Sequence, residues 1–267
     1  MFTPSIFTQV INSYLPEPHA SLLNGIIFGI NLKTTKVFYD QLKIVGLLHL
    51  VVLSGINITL LAAIIANLTS YFSKYISIMI TILVVIIFIV FVGAQAPIVR
   101  AGFMGIITFV GILTRRKVYP LFSIFLSLIF IVIFWPQWLS TISLQLSYGA
   151  TLGLIFFTNV KEPAKIKSSL KYLFWKEVKP TLAAQVFSAP IIFIYFKQVS
   201  LISPLSNLLV SFTIPPLMVF GFLTAFLGRI NFYLGLLPAY ICCGLLSYLV
   251  WVIETLSKLP FAFYQFR

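Results

Sequence analysis

One apolar stretch of this 267-residue chain carries three side chains that could do chemistry, His49, Ser54 and Asn57. A histidine beside a serine is the pairing that activates a nucleophile in hydrolases. At about 100° per residue, His49 and Ser54 point about 140° apart around a helix, whereas Ser54 and Asn57 share a face. The spacing therefore disfavours a serine hydrolase. Two interpretations stay open, hydrogen bonds to a neighbouring helix and contacts to a transported molecule.

Arg100 is the second candidate, because it stands in an apolar segment three residues after Pro97. An arginine at the centre of a membrane helix costs about 2.5 to 3.5 kcal/mol on insertion scales. Its side chain either reaches the membrane interface as an anchor or contacts a phosphate or carbonyl group inside a cavity. The sequence leaves both interpretations open.

Other polar residues also stand inside apolar segments, where each taken singly is more typical of a hydrogen bond between helices. Together they form a set that could line a route through a membrane. The candidate pathway residues are His49, Ser54, Gly55, Asn57, Arg100, Gln145, Ser147, Gln185 and Asn207.

Several kinds of chemistry lack their usual residues. The chain has five acidic residues against 18 Lys and Arg, and Glu254 is the one acid that falls in a predicted span. Ion-coupled carriers commonly use buried carboxylates, so such a carrier is not favoured. There is no phosphate-binding loop, and the adjacent Cys242 and Cys243 match neither a disulfide framework nor spaced metal ligands. We predict no enzymatic activity, no cofactor and no metal.

The composition requires a lipid environment for the elements that position these residues. Hydrophobic residues make up 60% of the chain and charged residues 9%. A bilayer core needs about 17 to 25 apolar residues per helix, and stretches near that length recur. We predict an all-α, polytopic transmembrane protein with about eight spans, some broken or re-entrant. The predicted spans are 45–68, 76–92, 98–113, 119–134, 143–157, 182–196, 205–227 and 234–257.

Basic loops set the expected orientation. Arg115 to Lys117 form one basic cluster and the lysines between Lys161 and Lys179 form another, two spans further on. Positive loops stay on the cytoplasmic side, which places both termini on the outer face of the inner membrane. Lys33, Lys36 and Lys43 precede the first span and would then lie outside, against this positive-inside rule. We predict a short amphipathic or re-entrant helix at the outer surface around Leu22 to Ile30.

The second basic cluster alternates lysines with aromatic and apolar residues. Such a pattern is typical of an interfacial helix, whose expected ligand is anionic lipid. Lysines with exposed aromatic residues also suit single-stranded nucleic acid. The positive-inside rule explains the same residues without any ligand.

The predicted spans divide the chain into three regions, an N-terminal interfacial segment (1–43), a transmembrane region (44–258) and a short C-terminal tail (259–267).

Prolines interrupt the spans, and interrupted backbone is tolerated in lipid only where protein or a water-filled cavity surrounds it. The spacing of Gly149 with Gly153, and of Ala101 with Gly105, is typical of closely packed helices. The predicted helix breaks are Pro97, Pro190, Pro204, Pro215 and Pro216.

Several stretches, in the same order, resemble the membrane domain of the ComEC-type competence proteins, from about Glu17 to the C-terminus. One departure is Asn57, where the family usually has a second histidine. The matching stretches are 49–57, 97–104, 145–150, 183–185, Pro190, 195–200 and 203–209.

The resemblance implies a channel component that passes single-stranded DNA inward during natural transformation. It implies membrane lipids, a cytoplasmic helicase-like ATPase and a DNA-binding receptor as partners, and a homo-oligomer is compatible with it. Full-length relatives carry an oligonucleotide-binding-like domain and often a metallo-β-lactamase-like domain, and neither is found in this sequence, so no nuclease activity is expected. The alternatives are a small-molecule or lipid transporter and a non-transporting membrane scaffold.

Overall fold

The computed structural model describes residues 4–48, 55–158, 170–196, 198–200, 202–259 and 263–265. These residues form helices and one short antiparallel pair of strands. The helices are α1 (Ser5–Tyr14), α2 (His19–Phe28), α3 (Lys36–Val45), α4 (Gly55–Leu68), α5 (Lys74–Val92), α6 (Ala96–Leu113), α7 (Pro120–Phe134), a 3-10 turn (Pro136–Ser140), α8 (Ile142–Thr158), α9 (Leu170–Phe196), α10 (Ser203–Ser211), α11 (Ile214–Ile230) and α12 (Phe232–Ser257).

Helices long and apolar enough to cross a membrane number four within the described residues, namely α5, α6, the 178–195 part of α9, and α12. A fifth span results if α10 and α11, which meet at an angle of 51°, are counted together. The apolar helices α4, α7 and α8 have 14, 15 and 17 residues. At 1.5 Å per residue these described lengths fall below a hydrocarbon core of about 30 Å, and α4 and α8 each border residues outside the described ranges. The helical membrane fold is confirmed, but the count of about eight spans is not.

The N-terminal region is built differently from the prediction. Nine of the ten residues of α2 are buried, from Ala20 to Phe28, and the helix packs against α1, α11 and α12. Its polar residues Ser21 and Asn24 are buried and bonded to Lys33 and Asn12, so the helix has no polar face turned toward water. Helix α2 is therefore an internal helix of the bundle and not an amphipathic surface helix, while the re-entrant alternative stays a prediction.

The centre of the fold is α12, which packs against α11, α3 and α2. One stripe of this helix is completely buried and recurs at steps of four, three and four residues, which is the spacing of a helix face in contact with its neighbours. The stripe consists of Cys242, Leu246, Leu249 and Ile253.

The packing of α8 against α9 depends on the two glycines of α8. A Cβ atom on Gly153 would lie 2.0 Å from the carbonyl oxygen of Ala183, and one on Gly149 would lie 3.3 Å from that of Phe187. Close packing through these glycines is confirmed. For Gly105 it is wrong, because a Cβ there would meet no described atom within 4 Å.

A short antiparallel pairing joins two distant parts of the sequence. Strand β1 (Gln198–Ser200) pairs with β2 (Phe263–Gln265), with Val199 opposite Tyr264. The sequence pattern did not predict these strands. They attach the C-terminal residues to the segment between α9 and α10.

Candidate anion-binding site

Arg100 lies inside the protein, with 7% of its surface exposed. Arg100 belongs to the first part of α6, which begins after Gln95. Pro97 stands in the first turn of this helix, where the backbone N–H that proline lacks would have no helical partner. Nε of Arg100 donates to Oγ of Ser147 over 2.9 Å. Nη1 donates to Oγ1 of Thr151 over 2.5 Å and to Sδ of Met104 over 3.5 Å. The guanidinium is thus held by side chains from α6 and α8.

The spacing within the two helices explains why these partners meet. Ser147 and Thr151 are four residues apart on α8, so they share one face of it, as Arg100 and Met104 do on α6. Oγ1 of Thr151 also donates to the carbonyl oxygen of Ser147 over 2.8 Å. This bond orients the threonine so that its oxygen lone pair can accept from Arg100.

Two further helices complete the site. The ring of Tyr148 lies 5.6 Å from Cζ of Arg100, within range of a cation–π contact, and its hydroxyl is 2.9 Å from Oγ of Ser127 on α7. A Cβ atom on Gly55 would lie 3.2 Å from Nη2 of Arg100, so α4 approaches the guanidinium where it has no side chain. Helices α4, α6 and α8 contact this cation, and α7 joins the site through the hydroxyl of Tyr148.

No described residue around Arg100 balances its charge. Its hydrogen-bond and ring partners among the described residues are all neutral. The bonds use Nε and Nη1, and within the described part of the chain Nη2 donates to no partner. A buried charge is normally paired, because removing it from water is expensive. The arrangement is suited to an anion that approaches Nη2.

The other predicted pathway residues are dispersed. Asn57 is buried at 2% exposure and donates to the carbonyl oxygen of Ile26 over 2.9 Å, so it holds α2 in place. Half-buried Gln145 donates to the carbonyl oxygen of Leu139 over 3.2 Å. Of the predicted set, Gly55, Arg100 and Ser147 come together, while His49 and Ser54 lie outside the described residues.

Gln185 belongs to a second polar cluster, around the end of α3. It donates to Oγ of Ser203, at the start of α10. Oγ of Ser200 donates to the carbonyl oxygen of Ile44 over 2.7 Å, and Oγ of Ser206 donates to that of Val45 over 2.8 Å. These bonds satisfy carbonyl groups that the end of α3 leaves free. The cluster therefore fixes the exit of α3.

Asn207 lies one residue beyond this cluster on α10. Its Oδ1 is buried and has no hydrogen-bond partner within the described ranges.

The predicted helix breaks lie mostly at helix starts. Pro97, Pro204 and the pair Pro215–Pro216 stand in the first turns of α6, α10 and α11. The 51° bend precedes the proline pair. Helix α9, in contrast, continues through Pro190.

Sequence reasoning missed four contributors to the site: Met104, Ser127, Tyr148 and Thr151. One signal was available, since Thr151 follows Ser147 by one helical turn and so had to face the same neighbour. Ser127 gave no signal, because a lone serine in a membrane helix usually bonds its own backbone.

Fold and site define a multi-pass helical membrane protein with a buried cation in a site built by four helices. Residues 26–267 match the family profile described as "Competence protein", and the chain belongs to that family. It is 27% identical over 204 residues to ComE operon protein 3 of Bacillus subtilis (strain 168), which covers 75% of this chain and 26% of the relative. The chain thus spans about a quarter of that relative's length. No solved structure matches. The resemblance inferred from the ordered stretches is confirmed.

Proposed function

We propose that this chain is a channel component of the inner membrane that passes single-stranded DNA into the cytoplasm during natural transformation. The observation that carries the proposal is Arg100, a buried cation whose described partners are all neutral. Family membership supports the link to competence.

The chemistry of the cargo fits this cation. A polyanion that crosses lipid needs a polar or cationic route, because each phosphate carries a charge that hydrocarbon does not solvate. A guanidinium keeps its charge at any physiological pH, and a hydrogen bond from it to a phosphate oxygen is charge-assisted. Ser147 and Thr151 accept from Nε and Nη1, so among the described residues Nη2 is the donor left for a phosphate oxygen.

In the proposed arrangement both termini lie on the outer face and the basic loops lie in the cytoplasm. The strand is handed over by a DNA-binding receptor outside and drawn inward by a helicase-like ATPase inside. A homo-oligomer is compatible with this role, as is direct contact of the basic loops with membrane lipids. In this proposal the chain forms part of the path of the DNA strand and carries out no chemical step.

The test is the uptake of DNA in the natural host. Deletion of the gene should abolish acquisition of a marked DNA fragment, and the wild-type gene should restore it. Arg100→Ala should restore it at least about tenfold less well, since a charge-assisted contact worth about 1.5 to 3 kcal/mol is lost. Arg100→Lys, which keeps the charge but loses the paired bonds to Ser147 and Thr151 that orient it, should lie between them.

Arg229→Ala is the matched control, because Arg229 is an exposed arginine in the last turn of α11. It should restore uptake fully. Membrane levels of each variant are compared by immunoblotting, so that loss of protein is not read as loss of function. Undiminished uptake in the deletion strain would overturn the proposal, and full restoration by Arg100→Ala would remove Arg100 from the route.

A further inference from the structure

A cleft opens at the end of α6, away from the Arg100 site. It has a volume of about 660 Å³ and lies between the last two turns of α6 and the start of α7. That volume is within the usual range for pockets that bind small molecules, about 300 to 1,000 Å³. The residues that line it are Ile107, Val110, Gly111, Thr114, Arg116, Lys117, Val118, Tyr119 and Phe122.

The lining changes its character along the helix. Ile107, Val110 and Phe122 form an apolar wall, and Val110 and Phe122 are 46% and 57% exposed. Arg116 and Lys117 stand at the end where α6 stops, and both are exposed. Among the described residues, no carboxyl group lines the cleft. An apolar trough that ends in two cations is complementary to a molecule with an apolar tail and an anionic head.

The backbone holds the cations in this position. The N–H of Arg116 donates to the carbonyl oxygen of Gly111 over 2.9 Å, which closes the end of α6. Arg115 takes the left-handed conformation with φ 55°, where glycine is usual. A Cβ on Gly111 would lie 2.0 Å from Cγ2 of Val118, so only glycine lets the loop fold back against the helix. The turn therefore fixes Arg116 and Lys117 beside the trough.

We infer that this cleft binds an anionic glycerophospholipid, with an acyl chain along Ile107 and Val110 and the phosphate between Arg116 and Lys117. The distance from Ile107 to Thr114 is about 10 Å of helix, enough for the glycerol and the first part of a chain. Basic pockets at the cytoplasmic ends of membrane helices bind such head groups. The inference does not depend on the proposed passage of DNA.

Native mass spectrometry of the full-length chain in detergent tests this site. Dioleoyl phosphatidylglycerol and dioleoyl phosphatidylcholine are titrated separately. The wild-type chain should bind the anionic lipid about twenty-five-fold more tightly, since two cations each contribute about fivefold. Arg116→Gln with Lys117→Gln should reduce that preference at least about tenfold, and any remainder belongs to other basic segments such as Lys161 to Lys179. A preference that the double substitution leaves unchanged would overturn the inference.

Lys74→Gln with Arg229→Gln is the matched control. It removes two exposed cations at the ends of other membrane helices, α5 and α11. The preference for phosphatidylglycerol should be unchanged. An equal loss in this control would mean that net charge governs lipid binding, and the cleft would not be a site.

Three further arms identify the ligand. Val110→Trp fills the trough and should weaken the binding of both lipids. Binding as tight as that of the wild-type chain would argue against an acyl chain in the trough. Glycerophosphoglycerol, the head group without chains, should not displace the lipid at equal concentration, and displacement would reduce the site to an anion site. A thymidine oligonucleotide that displaces the lipid would make it a nucleic-acid contact. Circular dichroism verifies that each variant is folded.

Discussion

Nε of Arg100 donates to Oγ of Ser147 over 2.9 Å, and this bond joins α6 to α8 across 47 positions of sequence. The serine carries no charge, so it satisfies a donor without neutralising the cation. A carboxylate at the same place would have formed a closed ion pair, which leaves little for a passing anion to gain. The neutral partner thus keeps Arg100 oriented and available.

Thr151→Val should destabilise the protein through Arg100. The substitution keeps the shape of the side chain and removes the oxygen that accepts from Nη1. A hydrogen bond to a charged group is worth about 1.5 to 3 kcal/mol, and the thermal unfolding temperature in detergent should fall accordingly. In an Arg100→Met background the same substitution should cost much less. Equal costs in the two backgrounds would show that Thr151 does not act on Arg100.

Gly55→Ala should displace the guanidinium. The added Cβ would lie 3.2 Å from Nη2 of Arg100 and 3.0 Å from Cβ of Ala101, both tighter than ordinary contact. We expect DNA uptake to fall severalfold while the protein still reaches the membrane, because the change acts on the donor proposed to meet the phosphate. Marker acquisition and membrane levels are measured together.

Gly244→Ala is the matched control for Gly55→Ala. Gly244 is in the middle of α12, and a Cβ there would meet no described atom within 4 Å. Uptake should be unchanged or slightly higher, since alanine favours a helix. If the two alanine variants behave alike, contact with Arg100 is not what matters at Gly55.

The sequence allowed the helical membrane class, the family and part of the site to be predicted. Gly55, Arg100 and Ser147 were singled out for one physical reason, that polar or small residues in an apolar span need a partner or a close neighbour. Their mutual contact followed from neither spacing nor composition, because they lie on three separate helices.

The remaining features were hidden because lipid removes the usual signal. In water, apolar periodicity marks the buried face of a helix, but in a membrane the exposed face is apolar too. The burial of α2 could not be distinguished from contact with lipid, and the short helices α4, α7 and α8 could not be distinguished from full spans. Thr151 was overlooked for the opposite reason, because a threonine that bonds its own helix is common.

Asn57→Leu should affect stability more than transport. The side chain of Asn57 donates to the carbonyl oxygen of Ile26, and its loss leaves a buried acceptor without a partner. We expect a loss of about 1 to 3 kcal/mol in the free energy of unfolding. Uptake should fall only in proportion to the protein that reaches the membrane. An unchanged unfolding temperature combined with abolished uptake would return Asn57 to the proposed DNA route.

His19 should make the stability of the protein depend on pH. Burial lowers the pKa of His19 below its ordinary value, and the nearby charge of Glu17 opposes this shift in part. Its Nε2 is 3.1 Å from Oγ of Ser247, and its Nδ1 is buried without a partner among the described residues. The folded protein therefore binds a proton at this ring less readily than the unfolded chain does.

The sign follows from that difference. The stabilisation from neutral His19 is fully present above about pH 6.5 and declines as the pH falls below it toward the lowered pKa of the folded state. Unfolding temperatures measured in detergent should decrease from pH 7.5 down to pH 5. His19→Gln should flatten that decrease, although the other histidine, His49, is unchanged in this variant. A slope that His19→Gln leaves unchanged would assign the pH dependence to another group, and an inverse slope would contradict the lowered pKa.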